Sequence, residues 1–275
     1  MGIVANDSEV VTLQPLWRVC VAEKVVLRDK EGDPYVYLAH LYHYDDELPS
    51  FPGLGMVGIF VSAASSGKDA VCWGVMKEPA SIFMKGIRET YMAKFYPGQF
   101  TRTFGVPARL LSPVHGSLLR DIVPVRNSND MDVEKPLCSF GAFANFILSL
   151  TQKTLARQNE DMREKAIFHM IREVLHMRGV IKVKDLEDNV GYSRRQICNI
   201  LYEQVGITPK QFCSQVRFQS ALNAFTSPVK SNDLSFIANE CGYYDQSHLN
   251  MDFKRHTNMT PSDLLKTLTM PVIVN

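Results

Sequence analysis

One pattern that occurs twice near the C-terminus limits what this chain can fold into more than any other feature. When Ser193 is aligned with Asp245, five further pairs fall into register without a gap: Ile197 with Leu249, Leu201 with Phe253, Thr208 with Thr260, Pro209 with Pro261 and Phe212 with Leu264. Gly191 and Gly242 precede the aligned positions, and the second copy has one extra residue in this turn. Each copy predicts two short helices joined by a tight turn at a glycine, which is the helix-turn-helix signature.

The second helix of each copy is predicted to have an apolar inner face and a polar outer face. Leu249 and Phe253 lie four residues apart, so they share the face that packs inward. Asp245 is suited to cap its helix, because a carboxylate accepts from the free N–H groups of the first turn, and Ser193-x-x-Gln196 has the form of a capping box. Polar side chains on the outer face of a short helix suit the reading of base edges in a DNA major groove.

The duplicated segment resembles the AraC/XylS family of transcription regulators over roughly the last hundred residues. The positions that carry the resemblance are Leu186, Gly191, Tyr192, Ser193, Gly206, Thr208, Pro209, Phe212, Arg217, Ala221, Ile237, Ala238, Gly242, Tyr243, Asp245, Leu249, Phe253, Lys254, Thr260 and Pro261. Three positions depart from the pattern, because Glu187 replaces a small residue, Asn258 replaces a glycine, and Met251 stands where many members have arginine. The resemblance implies two recognition helices joined by a linker helix, with double-stranded DNA and RNA polymerase as partners.

The resemblance also assigns roles to residues of the two recognition helices. The base-reading positions are Arg195, Cys198 and Asn199 in the first helix, and Gln246, Ser247, His248, Asn250 and Met251 in the second. Arg195 suits the O6 and N7 atoms of guanine, Asn199 and Gln246 suit adenine, and Met251 or Cys198 suits the methyl group of thymine. The expected phosphate contacts come from Ser193, Arg194, Lys254 and Arg255. For any one of these residues, the competing interpretation is a merely solvated side chain.

Length, composition and charge limit the classes of protein to which this chain can belong. A chain of 275 residues is long enough for two domains, and its net charge of +1 gives no global signal for nucleic acid. The basic residues Arg194, Arg195, Lys254 and Arg255 nevertheless cluster at the predicted recognition helices. The six cysteines lack C-x-x-C spacing, which favours free thiols over a disulfide framework. No signal peptide or membrane-spanning run is recognisable, so we expect a cytoplasmic protein without membrane contact.

The two parts of the chain differ in texture, which predicts an α+β protein of two domains. Residues 1–157 contain several short β-rich runs separated by turn signals, followed by one helix at Phe140–Leu150, and predict a mainly-β sandwich or barrel. Residues 158–275 are helical throughout, beginning with a helix from Asp161 to Arg178. The polar stretch Gln152–Glu160 marks the expected boundary, and a linker helix is expected from Pro209 to about Phe225.

The N-terminal domain is expected to bind a small-molecule effector, to form a homodimer, or both. Trp73, Arg88, Tyr91, Tyr96 and Arg102 are candidates for an effector pocket, because aromatic rings with guanidinium groups suit an aromatic or anionic ligand, although each is also compatible with a core or surface role. The apolar stripe of the helix at Phe140–Leu150 fits either a dimer face or packing on its own domain.

Catalysis and metal binding have no support in the sequence. No nucleophile triad, phosphate-binding glycine loop or carboxylate pair is recognisable, so we expect no enzyme and no cofactor. His40 and His43 lie three positions apart, so they point to opposite faces of a strand, and we expect no metal site. The favoured function is a sequence-specific transcription regulator, and the alternative is a small-molecule-binding or protein-interaction adaptor whose helix-turn-helix units no longer read DNA.

Overall fold

The structure, a computed structural model, describes residues 19–29, 31–50, 52–53, 55–63, 69–113, 115–122, 137–155, 162–226 and 233–269. The expected boundary near residue 157 lies outside these ranges. The strands are β1 (Val19–Arg28), β2 (Pro34–His43), β3 (Glu47–Ser50), β4 (Val57–Ser62), β5 (Val71–Trp73), β6 (Ala80–Phe83), β7 (Glu89–Phe95) and β8 (Ser117–Leu118). The helices are α1 (Gln99–Phe104), α2 (Leu119–Ile122), α3 (Phe140–Leu155), α4 (Met162–His176), α5 (Val183–Val190), α6 (Arg194–Val205), α7 (Pro209–Thr226), α8 (Leu234–Glu240), α9 (Gln246–Thr257) and α10 (Pro261–Thr269).

Two antiparallel sheets build the N-terminal part. The larger sheet has the order β1-β2-β7-β4-β5-β8, and β3 pairs with β6 as a separate ribbon. The central strands of the larger sheet are buried on both faces: Tyr91 and Ala93 belong to the main core, whereas Met92 on the same strand packs in a second cluster. A mainly-β domain followed by a helical one was the predicted fold class, and the structure confirms it.

The helix α3 settles one alternative left open by the sequence. It contacts β2 and β7, and its residues Phe140, Phe143 and Ile147 are buried. Tyr91 of β7 lies with its ring stacked on Phe143, the two centroids being 5.6 Å apart. The apolar stripe therefore packs on its own sheet and is not left open as a dimer face.

The two largest hydrophobic cores among the described residues divide the chain in a way that the sequence did not predict. The main core runs without interruption from β2 to Val216 of α7, so it includes the β domain, α4 and both helices α5 and α6. A second core is formed by α8, α9, Leu264 of α10 and the later part of α7, beginning at Phe218. The helix α7 is thus shared between the two cores.

Candidate nucleic-acid interface

The first helix-turn-helix unit consists of α5 and α6. Gly191 ends α5 in the left-handed conformation, with φ of +69°, and donates its N–H to the carbonyl oxygen of Glu187. The predicted capping box then begins α6, because Gln196 N–H donates to Ser193 Oγ at 3.4 Å and Ser193 N–H donates to Gln196 Oε1 at 2.9 Å. The turn and the cap together fix where α6 begins.

The second unit, α8 and α9, repeats this construction with different residues. Gly242 takes φ of +73° in the turn. The predicted cap is present at Asp245, whose Oδ1 accepts from His248 N–H at 2.7 Å. At the far end of α9, Asn258 occupies the left-handed conformation with φ of +60°, so it replaces the glycine of the family pattern in the same backbone role.

The apolar faces of the two recognition helices are completely covered. Ile197 and Leu201 of α6 and the aligned Leu249 and Phe253 of α9 are all 0% exposed. Each such side chain contributes about 1.5–3 kcal/mol relative to an exposed one, so burial holds each helix with a defined side facing outward. The residues that align in the sequence therefore also occupy equivalent buried positions in the structure.

The predicted contact residues lie on the opposite, outward side. Those that are exposed are Ser193, Arg194, Arg195, Asn199, Gln246, Ser247, Met251, Lys254 and Arg255, and those that are half-buried are Cys198, His248 and Asn250. None of these twelve side chains belongs to the buried core. The structure thus keeps the predicted residues of each unit out of the buried core, although the Oδ1 atom of Asn250 is itself buried.

Two of the predicted base-reading residues in α9 also make contacts inside the protein. Gln246 Oε1 accepts from the hydroxyl of Ser235 at 3.2 Å, and His248 Nδ1 accepts from the backbone N–H of Tyr244 at 3.4 Å. The ring of Tyr243 meets His248 edge to face at 5.3 Å. Because Nδ1 acts as an acceptor, the neutral imidazole carries its proton on Nε2, which makes that nitrogen a hydrogen-bond donor.

The linker helix α7 holds the two units together. Its start is capped, since Thr208 Oγ1 accepts from Gln211 N–H at 3.3 Å and Gln211 Oε1 accepts from Thr208 N–H at 3.1 Å. Phe212 lies in the main core, whereas Phe218 meets Phe253 of α9 edge to face at 5.2 Å. The guanidinium of Arg217 lies 5.1 Å from the centroid of the Tyr243 ring, which gives it a cation–π contact inside the protein.

A buried polar cluster between α7 and α9 was missed by the sequence reasoning. Asp252 Oδ2 accepts from the hydroxyl of Tyr243 at 2.9 Å, and its Oδ1 accepts from the hydroxyl of Ser214 at 3.2 Å. His256 Nε2 lies 3.0 Å from Ser214 Oγ and 3.4 Å from Asp252 Oδ1. The spacing of Asp252 and His256 by four residues places them on one helix face, which was the available signal.

The electrostatics of this cluster follow from burial and close partners. Burial raises the pKa of Asp252, but the hydrogen bond and charge of His256 and the hydrogen bond from Tyr243 outweigh it, so the pKa lies below the usual value. Burial together with the nearby carboxylate raises the pKa of Tyr243 well above that of free tyrosine. The cluster therefore contains an ionised carboxylate and a neutral phenol at neutral pH.

The five effector candidates in the β domain do not share one surface. Trp73 and Tyr91 lie on opposite faces of the larger sheet, since Trp73 packs against Phe60 and Tyr91 belongs to the main core. Tyr96 is half-buried just after β7. The guanidinium of Arg88 pairs with Asp46 at 2.6 Å, and that of Arg102 pairs with Glu164 at 2.7 Å.

The sequence reasoning passed over Lys94, which follows on the same strand as Tyr91. The registers Lys94–Gly58 and Gly58–Trp73 place Lys94 on the same sheet face as Trp73. Burial lowers the pKa of this lysine to about 8. The alternation of side chains along the strand places this lysine among apolar residues, and this pattern could have identified it from the sequence.

The two histidines of β2 serve the β domain. His40 Nε2 lies 2.8 Å from Glu89 Oε1, and His43 Nε2 lies 2.8 Å from the hydroxyl of Thr90. Within the described ranges no group of three or more histidine, cysteine or acidic side chains is arranged to hold a metal ion. Among the same residues, no helix combines the length and apolar character needed to cross a bilayer.

Residues 186–267 match the family model described as a helix-turn-helix domain. An uncharacterized HTH-type transcriptional regulator of Haemophilus influenzae is 28% identical over 88 residues, which are 32% of this chain and 29% of that protein. The chain therefore matches less than a third of the length of this curated relative.

Solved structures of two regulators are also similar. The xylose-binding transcription activator xylR is 24% identical with a TM-score of 0.31, over 40% of this chain and 28% of that one. ToxT of Vibrio cholerae O395 is 14% identical with a TM-score of 0.41, over 86% of this chain and 98% of that one. Apart from the first residues of α5, the two duplicated units of this chain lie within the residues that match the helix-turn-helix domain model.

Proposed function

We propose that this protein is a sequence-specific, DNA-binding regulator of transcription that places α6 and α9 in adjacent major grooves. One observation carries the proposal: two aligned helices have the same buried apolar pairs, similar caps and outward polar faces. Successive major grooves on one side of B-DNA are about 34 Å apart. A helix that contacts both units, as α7 does, supports a fixed spacing between them.

The distribution of charge supports the same proposal. Four basic residues lie on the exposed side of the recognition helices, Arg194 and Arg195 at the start of α6 and Lys254 and Arg255 in the last turn of α9. Phosphate neutralisation supplies much of the affinity of such proteins and makes it salt-dependent. Local clusters of this kind are sufficient for DNA binding in a chain whose net charge is only +1.

A footprint combined with a salt series tests the proposal. DNA fragments flanking the coding region are incubated with the full chain, and we expect protection of two adjacent helical turns per protomer. The logarithm of the binding constant should fall linearly as the logarithm of the salt concentration rises. Binding that ignores sequence and salt, or no binding at all, would instead support the adaptor function.

We also propose that the β domain binds a small effector, and the face that carries Trp73 supports this. Lys94 lies on this face with a pKa lowered to about 8, beside the buried apolar cluster that contains Phe60 and Met92. A cation beside aromatic and apolar groups suits an anionic ligand with an apolar body. A homodimer formed through the N-terminal domain and contact with RNA polymerase complete the proposal, and the second of these follows from the family resemblance.

A thermal-shift screen with small carboxylic acids tests the effector. A ligand that binds the folded chain stabilises it in proportion to the logarithm of its concentration over its dissociation constant. We expect the shift to disappear in Lys94→Met, with Arg88→Met as a control because Arg88 is exposed and pairs with Asp46. Equal shifts in both variants would exclude this face as the ligand site.

A further inference from the structure

The inner face of the second recognition helix carries two ionisable groups that no step of DNA reading uses directly. Asp252 is 7% exposed and His256 is 2% exposed, so neither can reach a base or a phosphate. Both meet Ser214, which is 6% exposed and belongs to α7. Polar groups in such a position are retained at a cost, because a buried carboxylate loses its hydration.

The contacts of Asp252 restrict the position of α9 more tightly than apolar packing does. Its two oxygens accept hydrogen bonds from two different directions, from Tyr243 in the preceding turn and from Ser214 in the neighbouring helix. Hydrogen bonds weaken steeply when distance or angle changes, whereas the burial of apolar side chains such as Phe218 and Phe253 is a non-directional force. A rotation of α9 about its own axis would leave the carboxylate buried without its donors.

The position of Ser214 in α7 connects this cluster to the rest of the protein. The preceding residue, Cys213, directs its thiol to the carbonyl oxygen of Ile181 beside the first unit. The following residue, Gln215, donates its amide to the carbonyl oxygen of Met76 in the β domain at 2.7 Å. Three successive residues of α7 therefore contact the segment just before the first unit, the second recognition helix and the β domain.

We propose that Asp252, through its hydrogen bonds with Ser214 and Tyr243, holds α9 at a fixed orientation to α7 and thereby sets the second recognition helix in register with the first. Asp252 and Ser214 are then positioning residues for DNA binding, which act through α9 without touching DNA. This inference rests on the proposed function of the two recognition helices.

The test uses the full chain and a DNA site found by footprinting, in which each half-site is scrambled in turn. Asp252→Asn keeps the size of the side chain but not its charge, and Ser214→Ala removes the donor from α7. We expect each variant to lose about tenfold in affinity for the complete site and to match the wild type on DNA whose second half-site is scrambled. The double variant should lose no more affinity than the weaker-binding single variant, because both substitutions disrupt the same hydrogen bond, the one between Ser214 and Asp252.

Thr257→Val is the matched control. Thr257 is also buried on α9, at 3% exposure, but its hydroxyl donates to the carbonyl oxygens of Phe253 in its own helix and Met259 just after it. We expect it to bind the complete site within about twofold of the wild type. Circular dichroism and thermal melting establish that all variants fold.

Three results would overturn the inference. One is full affinity in both Asp252→Asn and Ser214→Ala, and another is an equal loss on complete and half-scrambled DNA, which would indicate a general loss of folded protein. A third is an equally large loss in Thr257→Val. If the wild type itself showed no sequence-specific footprint, the regulator proposal would fail, and this inference would fail with it.

Discussion

Two neighbouring arginines at the start of α6 show how far a single residue can be interpreted. Arg194 and Arg195 are both exposed, and neither belongs to the capping box formed by Ser193 and Gln196. Successive helical residues point about 100° apart, so only one of them can face a groove directly. The family resemblance assigns Arg195 to a base and Arg194 to a phosphate, and these roles have different experimental consequences.

Arg195→Ala should cost about 1–3 kcal/mol in binding to the specific site and should relax the preference at one base pair of the first half-site. The reason is that a guanidinium pairs with two acceptors of guanine, which alanine cannot replace. Binding titrations on a panel of single-base variants measure this loss.

Arg194→Ala is the internal control for that measurement. We expect it to weaken all sequences alike and to reduce the salt slope by about one. If Arg195→Ala behaved in this uniform way and Arg194→Ala changed base preference, the two assignments would be reversed. Unchanged binding in Arg195→Ala would remove that residue from the interface.

At the residue scale, the sequence predicted the helix face on which a residue lies better than the residues with which it forms hydrogen bonds. Spacing placed Leu249 and Phe253 inward and Gln246 and His248 outward, because helical periodicity determines the face of each residue. It gave no indication that Gln246 bonds to Ser235 or that His248 accepts from Tyr244, since these contacts depend on how α8 and α9 pack. It also missed the cluster at Asp252 for the same reason.

The caps are the clearest case of local sequence determining an element. Ser193 and Asp245 were assigned from the sequence alone, and each accepts from the N–H group three residues later in the structure. In contrast, α1 was not predicted. It has only six residues, bounded by left-handed Gly98 and Gly105, and is too short to show periodicity.

Ser193→Ala should lower the free energy of unfolding by about 0.5–2 kcal/mol, because it removes one partner of the capping box and leaves a helix N–H without its acceptor. Chemical denaturation of the full chain measures this change. Ser247→Ala is a suitable control, since Ser247 is exposed on the outer face of α9, and it should stay within about 0.5 kcal/mol of the wild type. Equal effects of the two substitutions would contradict a stabilising cap.

The ionised carboxylate of Asp252 predicts a pH dependence of the stability of α9. Its pKa in the folded protein lies below the value in the unfolded chain, so it binds fewer protons when folded. Its contribution is therefore present above about pH 4 and is lost as the pH falls through its folded pKa. The free energy of unfolding of the wild type should fall more steeply below about pH 4 than that of Asp252→Asn, because the asparagine side chain gains no proton there. Parallel profiles would show that this carboxylate is not held ionised by its partners.

At the scale of the whole molecule, the core does not follow the two domains that the sequence suggests. The β domain and the first unit share one hydrophobic core, and the second unit has its own. Thr101 donates to the carbonyl oxygen of Gln204 at 3.2 Å, and Arg109 pairs with Glu203, so α6 is attached to the β domain at its C-terminal end. Periodicity reports which face of a helix is apolar but not which partner covers it, and this docking was therefore beyond prediction.

A continuous core predicts that the β domain and the first unit open together. Thr103→Val tests this, because Thr103 lies inside the β domain, where its hydroxyl meets Tyr35 at 2.6 Å and the carbonyl oxygen of Gln99 at 2.7 Å. The loss of these partly buried hydrogen bonds should cost about 0.5–1.5 kcal/mol. Native-state hydrogen exchange should show the same loss of protection in β7 and in α6, although the substitution touches neither unit of the C-terminal region.

The amides of α9 provide the comparison in that experiment. They belong to the second core, so their protection should change less than that of α6 if the two cores open separately. Reduced protection in β7 with unchanged α6 would show that the first unit is stable without the β domain. A ligand that binds the β domain would then not stabilise the first recognition helix. If the β domain and the first unit open together, the same ligand would also stabilise α6.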